Sequence, residues 1–356
     1  MKEKILIIGN FGYYSDKLNG QTMRTRSIYQ LLINMKNKYN FHVSSFDTSI
    51  NKKKITQSIL YYLKFSYYYF NYDTFVIMPA QRAVGIVLPL FFYSSVLFQK
   101  KVHFVAIGGW IGDLLNRNPI YKKYVKSFRG IYVQTNSLKH KLEEMGLSNT
   151  IYFPNFRIYN DNDIINKIEI SKIDKIVLYS RITKEKGVEL AIDTIDEINK
   201  RRNLTIRLSI YGPIEPSYKE RFKRIIHNKE NILYKGIIQP DKVKQTLSSY
   251  DLLLFPTYYE GEGFPGTILD AMSAGVPIIA SDWKYNSEII VNEYTGLLFE
   301  VKNRSDLMNK LNFAIKNPSL INQMRINCID ESKKFCADNV GLILINSIQK
   351  AEKLNR

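Results

Sequence analysis

Short, nearly unbroken apolar runs alternate with helix-patterned stretches along this chain, twice over. In the first half the runs are KILIIGN, FHVSSFDT, TFVIMPA, KVHFVAIGG, GIYVQT and TIYFPNF. Between them lie SIYQLLINM, ITQSILYYLKF, residues 83–98 and a Lys-rich piece around 120–128. The second half reads KIVLYSR, IRLSIYGP, NILYKGII, DLLLFPT and VPIIASD, with helical patterns at 188–201, 216–227, 241–249, 266–274 and 283–291. A strand that is apolar along its whole length is buried on both faces, the condition of a parallel sheet covered by crossover helices. The pattern therefore predicts an α/β chain of two doubly wound, Rossmann-like domains. The expected boundaries are 1–156, a polar linker 157–172 (RIYNDNDIINKIEISK), 173–335, and a final helix 336–356 packing back towards the first domain. The length of 356 residues also exceeds what one ordinary core serves. Doubly wound sheets bind ligands at the carboxyl ends of their strands, so a cleft faced by the two domains is the expected site.

Charge narrows the partners. Of a net +18, residues 1–155 hold 21 Lys/Arg against 7 Asp/Glu, and residues 156–356 hold 30 against 26. A basic first half calls for an anionic partner: nucleic acid, a lipid surface or a phosphorylated substrate. The opening MKEKILIIGN runs straight into a strand with no signal-peptide pattern, and Cys328 and Cys336 fit no metal spacing or disulfide framework. The expected location is the cytoplasm. Residues 83–98 form the longest apolar run, but sixteen residues containing Pro89 are short for a membrane span and read as a buried helix. Lys52, Lys53 and Lys54 precede a tyrosine-crowded helix, which suits an anionic lipid interface; a core-packed helix with a solvated start explains the same letters.

The chemistry concentrates in EGEGFPGTILDAMSAGVPIIASD. Glu262 and Asp270 stand eight residues apart around a Gly-Phe-Pro-Gly turn that opens a helix. Gly263 and Gly266 let backbone approach a ligand, and a helix N-terminus offers free N–H groups to a phosphate. A carboxylate can accept two hydroxyl hydrogens from a sugar. Both acids would equally favour a helix N-terminus for its dipole alone. Upstream, YSRITKEKG places Arg181 and Lys186 just past a strand, where a fork and a point charge can hold phosphate; a solvated charged turn looks the same.

Taken together, these segments resemble family 4 of the retaining glycosyltransferases, whose members have the GT-B fold. Glu262 and Asp270 are similar to that family's E-x7-E motif, with Asp where Glu is usual. Arg181, Lys186 and Gly187 resemble its G-R-x-x-x-x-K-G segment. The likeness covers most of residues 175–300; over 1–155 it is one of topology. It implies that Arg181 and Lys186 hold the donor diphosphate, that Glu262 lies near the transferred sugar and that Asp270 binds the nucleotide ribose. It also implies that backbone at Gly263, Phe264, Gly266 and Thr267 approaches sugar and phosphate, and that Gly20, Gln21 and Thr22 close the phosphate side. Many members carry a His after the fourth strand; here AIGGWIGD offers Trp110 and Asp113 as acceptor-side candidates, and His103 reads as a core or surface residue.

The reading implied is transfer of a sugar from a UDP- or GDP-linked donor to an acceptor hydroxyl with retention. It would use no metal and no cofactor, and would serve a capsule, O-antigen or other exopolysaccharide on a lipid-linked carrier at the inner face of the cell membrane. Arg181, Lys186 and Glu262 would carry the chemistry. A nucleotide-sugar epimerase or a phosphorylase on the same fold, and more remotely a basic nucleic-acid binder, are the rival readings; no nucleic-acid module is recognisable.

Overall fold

The computed structural model describes residues 2–13, 20–49, 55–158 and 169–353. Lys52, Lys53, Lys54, and residues 159–168 of the expected linker, lie outside the described residues. The chain divides into two units, Met1–Ile158 with Ala337–Arg356, and Tyr159–Cys336.

The first unit runs β1 (Glu3–Gly9), α1 (Gly20–Met35), β2 (Phe41–Asp47), α2 (Ile55–Asn71), β3 (Thr74–Met78), α3 (Val84–Leu97), β4 (Lys101–Val105), α4 (Ile111–Arg117), α5 (Pro119–Lys126), β5 (Gly130–Val133), α6 (Asn136–Glu144) and β6 (Thr150–Tyr152). All pairings are parallel, in the order β2-β1-β3-β4-β5-β6. Every residue of β3 and β5 is buried, as strands covered on both faces must be. One face carries Phe75, Ile77, Phe104 and Val133 against α2 to α6. The other carries Ile5, Ile7, Val76 and Tyr132 against α1 and the last helix of the chain.

The second unit runs β7 (Lys175–Tyr179), α7 (Val188–Arg202), β8 (Arg207–Tyr211), α8 (Lys219–Ile226), β9 (Ile232–Tyr234), α9 (Val243–Leu247), β10 (Leu252–Phe255), α10 (Gly266–Ser273), β11 (Ile278–Ser281), β12 (Gly296–Phe299), α11 (Arg304–Lys316) and α12 (Pro318–Ser332). The sheet order is β12-β11-β10-β7-β8-β9. The chain starts in mid-sheet at β7, winds out through β8 and β9, returns beside β7 at β10, and winds the other way. The loops after β7 and β10 leave their strands at the point where the winding reverses, which opens a crevice at their carboxyl ends.

α13 (Ala337–Lys353) belongs to the first unit, where Val340, Leu344, Ile345 and Ile348 are buried against α1. The two helices cross closely: a Cβ on Gly341 would sit 2.7 Å from Leu31 Cδ1.

Three readings of the sequence are corrected. Residues 83–98 are not a buried helix: Val84, Leu88 and Phe91 face the core, but Ile86, Leu90, Tyr93 and Leu97 are exposed. An all-apolar run carries no periodicity from which to tell one face from two. The helix expected at 283–291 is a single turn, Asn286–Glu288, because Lys284 takes a positive φ of 54° that an α-helix cannot contain. The sixth strand of the second sheet, β12, was not foreseen; GLLF is too short to stand out, and its pairing with β11 makes it a strand.

Candidate active site

The best-defined constellation lies where the second sheet reverses its winding. After β7 the chain passes Ser180 and Arg181, makes a tight turn at Lys184–Lys186, and enters α7 through Gly187 at φ 71°. A Cβ there would lie 2.0 Å from the carbonyl oxygen of Pro256, so only glycine lets this turn lie flush on the loop after β10. The Tyr258 N–H donates to the Glu185 carbonyl over 2.8 Å and ties the two loops together.

That contact brings Lys186 to Glu262, 76 residues on. The ammonium Nζ lies 2.5 Å from Oε2 of Glu262, and the two side chains are only 15% and 10% exposed. The Thr257 hydroxyl donates to the same oxygen over 2.9 Å. Lys186 Nζ also lies 5.5 Å and 5.1 Å from the ring centroids of Phe255 and Tyr259. A largely desolvated ion pair between aromatic rings is held by both Coulomb attraction and the rings' quadrupoles. The loop itself is pinned: Glu262 N–H to the Tyr259 carbonyl at 3.1 Å, Trp283 Nε1 to the same carbonyl at 2.9 Å, and Ser281 Oγ to the Thr257 carbonyl. Thr257 and Trp283 were not among the residues picked out from sequence. The available signal for Thr257 was a polar residue two positions past an all-apolar strand.

Pro265 is extended at φ −67°, ψ 121°, and α10 starts at Gly266, placing Gly266 and Thr267 in its first turn. Phe264 is buried, 5.3 Å from the ring of Phe335, and anchors the turn that Gly263 enters. Asp270 lies one turn into α10 on its half-buried side, while Ile268, Leu269, Ala271 and Met272 are buried. Arg181 is 47% exposed and 3.9 Å from Glu215, a loose and solvated pair that costs little to exchange for another anion.

The first-unit candidates sit apart from this constellation in sequence and in unit. Gly20, Gln21 and Thr22 form the first turn of α1; Thr22 is buried and the Gln21 carbonyl accepts from Thr25 Oγ1 at 2.9 Å. Trp110 is half-buried against the core, its indole N–H donating to the Ile107 carbonyl over 2.7 Å. Asp113 is exposed and paired with Lys141 at 2.7 Å. His103 is fully buried, its Nδ1 2.8 Å from the Tyr132 hydroxyl; burial, then Arg129 and Lys101, hold its pKa down at about 3. It is a neutral core residue. Among the described residues no cluster of three or more His, Cys, Asp or Glu is placed to hold a metal.

Residues 160–335, which contain the whole constellation, match the family described as glycosyl transferases group 1. The alpha-galactosylglucosyldiacylglycerol synthase of Streptococcus pneumoniae is 23% identical over 182 residues, 51% of this chain and 47% of that protein, so the match spans about half the length of that relative. The capsular polysaccharide biosynthesis glycosyltransferase CapH of Staphylococcus aureus is 22% identical over 302 residues, 77% of this chain and 81% of CapH. Among solved structures, Anabaena Alr3699/HepE in complex with UDP superposes with a TM-score of 0.71 at 15% identity, over 99% of each chain. Residues 160–335 belong to the group 1 glycosyltransferases, and the two-sheet architecture of the chain is that of the GT-B fold.

Proposed function

We propose that this protein transfers a sugar from a nucleoside diphosphate donor to an acceptor hydroxyl, with retention at the anomeric carbon. The observation that carries the reading is the ion pair of Lys186 and Glu262 at the winding reversal. A cation suited to phosphate and a carboxylate suited to a sugar hydroxyl lie in contact. The junction of phosphate and transferred sugar in such a donor wants both side by side. The donor diphosphate would draw Lys186 from Glu262 and engage Arg181. Gly266 and Thr267 would offer N–H groups at the start of α10, and Asp270 would take the ribose hydroxyls. In the reaction the anomeric C–O bond to phosphate breaks and the acceptor oxygen bonds to the same face of that carbon. The acceptor proton passes to the departing phosphate oxygen. Lys186, Arg181 and the helix N-terminus would stabilise charge gathering on the leaving group.

The acceptor is proposed to be lipid-borne, in assembly of a surface polysaccharide at the inner membrane face. The capsule-assembly name of one relative and the diacylglycerol product named for another support that class. Gly20, Gln21 and Thr22 on the donor's phosphate side, and Trp110 and Asp113 on the acceptor side, remain proposals carried by the family resemblance.

The test is a thermal-shift panel of UDP, GDP and their common sugar conjugates, followed by transfer to lipid-linked saccharide. A ligand at a hundred times its Kd stabilises by about 2.7 kcal/mol, a rise of several degrees. A panel in which no nucleotide raises the melting temperature removes the proposal.

A further inference from the structure

Half of the exposed large hydrophobics among the described residues, eleven of twenty-two, fall within residues 60–98. They are ordered. On α2, Leu60, Leu63, Tyr67 and Phe70 follow helical spacing along the outer face, while Tyr61, Phe65, Tyr68 and Tyr69 pack inwards on the core. On α3, Ile86, Leu90, Tyr93 and Leu97 do the same, with Val84, Leu88 and Phe91 inside. Both helices thus carry apolar side chains on their outer as well as their inner faces, a pattern that suits burial on both sides or contact with lipid. They lie side by side: the Tyr69 hydroxyl donates to Ser94 Oγ over 2.9 Å and its ring is 6.4 Å from Phe98. The outer stripes therefore join into one surface, well beyond the scattered apolar residues of an ordinary exterior.

The rim of that surface is basic. Lys64 is exposed on α2; α5 packs beside α3 through Tyr124 and Phe92, 4.8 Å apart, and exposes Lys123 and Lys126. None of these three lysines makes an ion pair among the described residues. Between residues 48 and 112 the sequence holds a single acid, Asp73, which is tied to Lys100 at 2.8 Å. Two copies of so basic a face would repel each other, whereas an anionic bilayer complements the rim and the apolar centre together. Among the described residues no helix is long and apolar enough to cross a membrane.

We infer that the outer face of α2 and α3 is a bilayer-docking surface, which seats its apolar stripes at the acyl boundary of an anionic membrane with Lys64, Lys123 and Lys126 on the headgroups. This deepens the transfer reading by naming where a lipid-borne acceptor is met, and rests on that reading only for the acceptor.

The experiment is co-sedimentation with vesicles of phosphatidylglycerol and phosphatidylcholine, against vesicles of phosphatidylcholine alone. The parent is expected to sediment with the anionic vesicles, and less so as salt rises. Leu63→Glu/Ile86→Glu/Leu97→Glu should lower binding by roughly tenfold or more, and Lys64→Glu/Lys123→Glu/Lys126→Glu should lower it and flatten the salt dependence. Since all six side chains are exposed, melting temperature should hold. A parent that stays in the supernatant with anionic vesicles at low salt overturns the inference. So does an apolar triple variant that sediments like the parent, or a concentration-dependent dimer that the same variant abolishes. A UDP-induced thermal shift, which reads the second unit, separates failure of this surface from failure of the transfer reading.

Discussion

At the scale of single residues, the ion pair of Lys186 and Glu262 shapes what each substitution should do. Lys186→Ala and Arg181→Ala should each weaken donor binding by about 1.5–3 kcal/mol, roughly ten- to a hundredfold in Kd, as expected for losing one charged hydrogen bond. Glu262→Gln should behave differently. It removes the anion that neutralises Lys186 before the donor arrives, so UDP should bind at least as tightly while kcat falls. Asp270→Asn should chiefly raise the donor KM, and Asp270→Glu should be tolerated. If the pair only braces the loop, the variants will instead lose stability, by a few kcal/mol for a broken buried pair, with kinetics scaling only to the folded fraction. Initial rates and melting curves together decide. A second residue-scale prediction concerns acid. His103 has its pKa lowered from 6.5 to about 3 by burial. The unfolded chain therefore takes up a proton below pH 6.5 that the folded chain refuses. Stability from this residue is whole above pH 6.5 and falls between there and about pH 3, by up to about 1.4 kcal/mol per pH unit. His103→Gln keeps a hydrogen-bonding group facing Tyr132 and should flatten the decline of melting temperature between pH 6.5 and 5; an unchanged decline counts against the assignment.

At the scale of elements, the turn into α7 holds the site together. Gly187→Ala would force a side chain into positive φ and against the Pro256 carbonyl. A loss of at least about 2 kcal/mol is expected, with a fall in transfer larger than the loss of folded protein, because the turn that carries Lys186 must lift off the loop that carries Glu262. Wild-type kinetics at a temperature where the variant is fully folded would disprove the coupling. The same scale shows what sequence reading can and cannot see. All six strands of the first sheet and five of the second were legible, most of them because continuous β-branched and aliphatic runs bounded by polar turns have few other interpretations, and β2 through the alternation of an edge strand. β12 was not, since four residues gain strand identity only from a neighbour to pair with. The length of α3 was legible and its outward face was not, since exposure is a property of what packs against a helix.

On the scale of the whole molecule, the chain leaves its first unit at residue 158 and re-enters it with the helix beginning at Ala337. Val340, Leu344, Ile345 and Ile348 complete the core behind α1. Burying four aliphatic side chains is worth about 6–12 kcal/mol as an upper figure, on the order of a domain's entire stability. Ending the chain after Cys336 should therefore unfold the first unit, read as lost hydrogen-exchange protection in β1 to β6, while UDP still stabilises the second. Retained protection would show that α1 and the sheet close without that helix.

The sequence alone determined that there are two parallel sheets, since long apolar strands cannot face water on either side. It also marked which letters are of a type suited to phosphate and sugar, since charge and backbone permissiveness are properties of residue types. The tertiary structure alone decided that Lys186 and Glu262, 76 residues apart, share one hydrogen bond, because that depends on β7 and β10 becoming neighbours where the winding reverses. It alone decided that the apolar stripes of α2 and α3 point outwards, because a side chain's exposure is settled by the elements around it and not by its own hydrophobicity.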